Sequence, residues 1–146
     1  MIGRVIQVYG VYRHASERHR FNAAGVHGCH LGNTSRRGCG KTFIAGQDPV
    51  AFCERFKKKV THVHVKDVSE SLAATVRGEQ TGIAVSHCAI GDGVNAENIK
   101  KILAILRDIG YDGVLSMECE GAGGPMIEKS LAWLRRTLGE LNIKSG

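Results

Sequence analysis

The residues able to do chemistry gather in two short stretches. VTHVHVKD at 60–67 sets two imidazoles, His62 and His64, two residues apart in a β-branched run and follows them with Lys66 and Asp67. VLSME at 114–118 ends in Glu118. The carboxyl ends of neighbouring parallel strands are where an α/β fold places its site. An imidazole and a carboxylate converging there suit a divalent metal of intermediate hardness, such as Mn2+, Co2+ or Zn2+. Taken singly, each residue reads as a solvated loop-edge side chain. Their pairing is what suggests a site.

The elements that must position them are legible from about residue 43 onward. Asp48 caps a helix with Pro49 at its first position, and Lys57, Lys58 and Lys59 suit its negative end. The run 60–66 alternates as a strand, with His62 and His64 on one face and Val63 and Val65 on the other. Residues 67–93 form a long connection with a short helix near 71–76, and loops of that length usually carry function. Asn95 caps a second helix whose apolar face is Ile99, Ile102, Leu103, Leu106 and Ile109, and Gly110 stops it. Residues 114–118 are a second strand. After a glycine-rich turn at 121–124, a third helix covers about 125–141, with Ile127, Leu131, Leu134, Leu138 and Leu141 spaced by four and three. This order predicts parallel strands joined by crossover helices.

Residues 1–42 do not join the pattern. Within them only 4–11, with Val5, Ile6, Val8 and Val11, has the spacing of a strand; the rest is Gly- and Arg-rich and irregular. They hold seven Lys/Arg against Glu17 alone, so the whole net charge of +6 lies there. No aromatic-interleaved stripe or nucleic-acid motif accompanies that charge, so a solvated arm is expected and a nucleic-acid partner is not. Two lookalikes in the segment fail. GCGKT at 38–42 lacks the first Gly of a phosphate-binding loop, since Ser35 stands there. Cys29, His30 and Cys39, with His27 or His19, fit no standard zinc spacing.

With 146 residues, 42% of them hydrophobic, the chain has the composition of one globular domain but falls short of the ~250 residues of a complete (β/α)8 barrel. No apolar run approaches the ~20 residues of a membrane span, so no membrane partner is expected. Five cysteines at irregular spacing, without a leader pattern at the start, predict reduced thiols in a cytoplasmic protein.

VTHVHVKD at 60–67, IGDG at 90–93 and GYDGVLSME at 110–118 together resemble the closing part of the sugar phosphate isomerase/epimerase family, the xylose-isomerase-like TIM barrels. The family pattern is a strand ending H-x-K-D, a G-x-G turn, an amphipathic helix, Gly-Tyr-x-Gly and a strand ending in Glu. The resemblance implies an α/β chain built as a partial TIM barrel of about three βα units over 43–146, with 1–42 foreign to it. It makes His64 a metal ligand and Glu118 both a ligand and the catalytic carboxylate that exchanges the substrate proton. The implied cofactor is a divalent metal, Mn2+, Co2+, Mg2+ or Zn2+. Asp67 is then placed to orient a ligand or Lys66. His62 reads as a packed barrel-interior residue, and Glu120 as a further candidate.

HCAIGDG at 87–93 is similar to the H-x-x-I-G-E-G stretch of endonuclease IV, but Val85 stands where that site has a ligating Asp. His87 is left as a loop residue able to contact substrate. Arg77 is a candidate for pairing with a substrate phosphate or carboxylate, its plain alternative being a solvated loop arginine. The family's two further ligands, a Glu and an Asp, come from earlier strands, and LGNTSRRG at 31–38 holds no carboxylate at the Asp's place. The expectation is a metal-dependent isomerase or epimerase in truncated form, acting on a small sugar through an enediolate. The alternatives are an inosose-type dehydratase and a non-catalytic barrel fragment. An open sheet predicts a homo-oligomer.

Overall fold

The computed structural model describes residues 6–10, 29–31, 46–76, 87–119 and 123–144. The elements are β1 (Ile6–Gly10), β2 (Cys29–Leu31), α1 (Pro49–Phe56), β3 (Val60–Val65), α2 (Glu70–Val76), α3 (Ala96–Asp108), β4 (Val114–Cys119) and α4 (Gly124–Glu140). The β-branched and apolar alternation of β3 and β4 brings them together in parallel, His64 opposite Ser116 and Val65 opposite Met117. β1 lies parallel on the far side of β4, with Tyr9 opposite Glu118. The short β2 runs antiparallel beside β3, giving the order β1-β4-β3-β2. The parallel strands β1, β4 and β3, with helices between β3 and β4, are the α/β arrangement expected of a partial barrel; the antiparallel β2 stands outside that expectation. Within 1–42, residues 6–10 form the strand that their spacing allows. Residues 29–31 add a strand that no alternation announces, because three residues of ladder need only an available edge.

Helix boundaries follow local chemistry. Asp48 accepts hydrogen bonds from the Val50 and Ala51 N–H groups at 2.8 and 3.2 Å, and Pro49 follows it at the first helical position. The three lysines after α1 tighten into a single 3-10 turn, Lys57–Lys59. Asn95 stands at the N-cap of α3, yet its side chain does not cap; its Oδ1 accepts from Asn98 Nδ2 at 2.9 Å. α3 ends where Gly110 turns to φ +68°, a conformation cheap only for glycine.

Alternation divides the sheet into two faces. Val63, Val65, Leu115, Met117 and Cys119 share one buried cluster with Ile99, Leu103, Leu106, Trp133, Leu134 and Leu138 from α3 and α4. That is the core. His62, His64, Ser116 and Glu118 have the opposite parity and so stand on the other face. The Gly-Tyr-x-Gly stretch has a structural cause: Tyr111 Oη donates to the Val114 carbonyl at 3.1 Å, and a Cβ at Gly113 would run into the Tyr111 ring. Among the described residues no helix is long and apolar enough to cross a membrane.

Candidate functional site

β3 and β4 end side by side, and their polar face carries the pair anticipated from the sequence. His64 Nδ1 stands 2.7 Å from Glu118 Oε1, with the two side chains 20% and 22% exposed. They are thus largely screened from water yet open on one side. One step deeper, the His62 ring stacks on that of His64, with centroids 4.5 Å apart and planes at 18°. His62 Nε2 lies 2.7 Å from Ser116 Oγ, and Ser116 is fully buried. Each imidazole reaches two residues beyond its register partner on β4: His62, opposite Val114, meets Ser116, and His64, opposite Ser116, meets Glu118. Ser116 escapes sequence reasoning because a serine inside a strand carries no signal of its own; only its parity with Glu118 points to it.

Lys66 and Asp67, just past the end of β3, are each 1% exposed. The Asp67 carboxylate faces backbone. Oδ1 accepts from the N–H groups of Val68 at 2.9 Å and Asn95 at 3.0 Å, and Oδ2 from those of Gly91 at 2.9 Å and Gly93 at 3.0 Å. Four N–H donors thus converge on one carboxylate and use both of its oxygens as acceptors. They also explain the G-x-G motif: a Cβ at Gly93 would collide with the Asp67 carboxylate and the Val68 carbonyl, and one at Gly91 with the Trp133 indole.

His87 is exposed. Its neighbour Cys88 has its thiol pushed up to about 11 by burial and by the charges of Asp67 and Asp92, against Lys129. Burial likewise raises the Cys119 thiol, opposed by its hydrogen bond with Ser130. Arg77 and Glu120 lie outside the described residues. A groove of about 560 Å3 opens between the N-terminal ends of α1 and α3 and the side of α2, lined by Asp48, Glu70, Val94 and Asn98 among others. Neither His64 nor Glu118 lines it, so the groove and the paired groups are separate features.

An imidazole and a carboxylate are donor types that a divalent ion takes; here they stand within hydrogen-bond distance of one another. Among the described residues, no third His, Cys, Asp or Glu joins them into a metal-binding group.

A profile of the xylose isomerase-like TIM barrel family matches residues 38–137. The chain is 30% identical over 87 residues to an inosose dehydratase from Clostridium botulinum (strain Eklund 17B / Type B), a stretch covering 56% of this chain and 28% of that relative. It therefore spans less than a third of the length of the curated relative it matches. No solved structure gives a significant match. With parallel strands joined by crossover helices, a paired His and Glu at their carboxyl ends and a profile match over most of its length, the chain belongs to the xylose isomerase-like TIM barrel family.

Proposed function

We propose that the chain carries the proton-transfer site of a metal-dependent sugar or sugar-phosphate isomerase or epimerase. The observation behind this reading is the 2.7 Å approach of His64 and Glu118 at the ends of adjacent parallel strands. Glu118 takes the proton from the carbon next to a substrate carbonyl. In isomerisation it returns the proton to the neighbouring carbon while a proton passes between the two substrate oxygens; epimerisation needs in addition an acid on the opposite face to reprotonate the same carbon. His64 and Glu118 would hold a divalent ion, which when bound polarises the carbonyl. Lys66, His87 and Arg77 are the candidate substrate contacts, and Asp67 keeps the chain around them in shape. A small sugar substrate and a cytoplasmic setting go with this reading.

The similarity to an inosose dehydratase favours a second reading, dehydration. It begins with the same proton abstraction by Glu118, after which the hydroxyl on the next carbon departs as water. A third reading is a non-catalytic segment that associates with a second copy. Among the described residues the sheet ends in β1 on one side and β2 on the other, and exposed strand edges tend to pair.

One experiment separates the readings: metal content, Mn2+-dependent thermal shift and light-scattering mass on the purified chain, with His64→Ala alongside. The enzymatic readings expect bound metal and a Mn2+ shift that His64→Ala abolishes. A dimer or larger species that takes up no metal points to the third reading. Offering an inosose and an aldose to the metal-loaded chain then distinguishes water loss from isomerisation.

A further inference from the structure

The turn at residues 90–95 carries neither member of the His64–Glu118 pair, yet it is fastened to the chain three residues past His64 and to the helix that follows the strand of Glu118. On one side it is tied to Asp67, three residues beyond His64, by the N–H groups of Gly91, Gly93 and Asn95 at 2.9 to 3.0 Å. On the other side it is tied to α4, the helix after the strand of Glu118. There the Ile90 N–H donates to Ser130 Oγ at 3.0 Å, while Ser130 Oγ donates to the Met126 carbonyl at 2.7 Å. Gly91 lies so close against Trp133 that a Cβ would meet the indole. Lys129 Nζ adds an exposed pair with Asp92 at 2.5 Å.

The pairing of β3 with β4 stops at Val65 opposite Met117. Glu118 therefore lies past the last residue paired between these two strands and is held in the ladder only on its other side, opposite Tyr9 of β1. A carboxylate shared among backbone donors, and a serine hydroxyl used as both donor and acceptor, are fixed devices rather than mobile ones.

We propose that the 90–95 turn is a bracket that sets the His64–Glu118 spacing, with Asp67 as its positioning residue. The inference rests on the reading of that pair as the site, and it makes this part of the rim preformed rather than a closing lid. Asp67→Asn keeps the side chain's size but replaces an acceptor oxygen with an amide donor. Two of the four N–H groups then lose their partner.

The test is amide exchange together with NMR of the His64 ring on the full chain, in Asp67→Asn and in Ser130→Ala, which loosens the bracket from its other end. In Asp67→Asn, exchange at Gly91 and Gly93 is expected to rise roughly tenfold or more, with Leu103 and Leu106 unchanged. The His64 ring signals are expected to shift in both variants. Faster exchange with His64 signals identical to wild type in both would overturn the proposal, leaving the turn a purely structural element. Unchanged exchange in Asp67→Asn would overturn it as well. If Asp67→Asn does not fold, the His64 signals of Ser130→Ala decide the matter alone, by shifting or not. None of these readouts uses a metal, so a wild-type chain that takes up no Mn2+ would defeat the proposed function and leave this result standing.

Discussion

At the scale of single residues, the glycines of the G-x-G turn are determined by the atoms that face them. Gly93 packs against the Asp67 carboxylate and the Val68 carbonyl, neither of which can swing away without losing hydrogen bonds. Gly93→Ala is expected to cost about 1–3 kcal/mol by overpacking, read as a lower urea midpoint at an unchanged slope. Cys88 offers a second measurement. With its thiol held up to about 11 from an ordinary 9.0, it is expected to react slowly with iodoacetamide at pH 8, with a rate that climbs until about pH 11. The folded state holds this proton more tightly than the unfolded state. Its contribution to stability is therefore complete below pH 9.0 and is lost as the pH rises towards about 11; Cys88→Ala is expected to flatten that alkaline fall.

At the scale of elements, α1 and α3 begin by different means. α1 uses the Asp48 side chain on two N–H groups, so Asp48→Ala is expected to destabilise by about 1 kcal/mol in a thermal melt. α3 begins at Asn95, whose side chain turns to Asn98 while its backbone N–H is taken by Asp67 from another part of the chain. The sequence pattern of a capping residue before an apolar periodicity is the same in both. Which atom satisfies the helix start depends on what tertiary structure brings near.

At the scale of the whole molecule, the buried cluster among the described residues lies between the sheet and the helices α3 and α4, with Cys53 of α1 joining it. Leu134 is fully buried within it. Leu134→Ala is expected to cost about 2–5 kcal/mol, measured by urea unfolding, and to leave His64 and Glu118 in place, since they stand on the opposite face of the strands. The site also lies where the β3–β4 pairing ends, with Glu118 paired only to β1.

Much of this was legible in the amino-acid order. The two strands, the three longer helices and the short one after Asp67 follow from alternation, capping and apolar spacing, because those signals act within a few residues. His64 and Glu118 follow from their position at strand ends, read beside the family resemblance. The 2.7 Å approach of the pair, the place of Ser116 under His62 and the four amides on Asp67 do not. Apart from the Val68 N–H next to Asp67, they join residues 24 to 54 positions apart, and only strand register and helix packing decide such meetings. Side-chain type states what a residue can do. Its partner is chosen by contacts that no local pattern encodes.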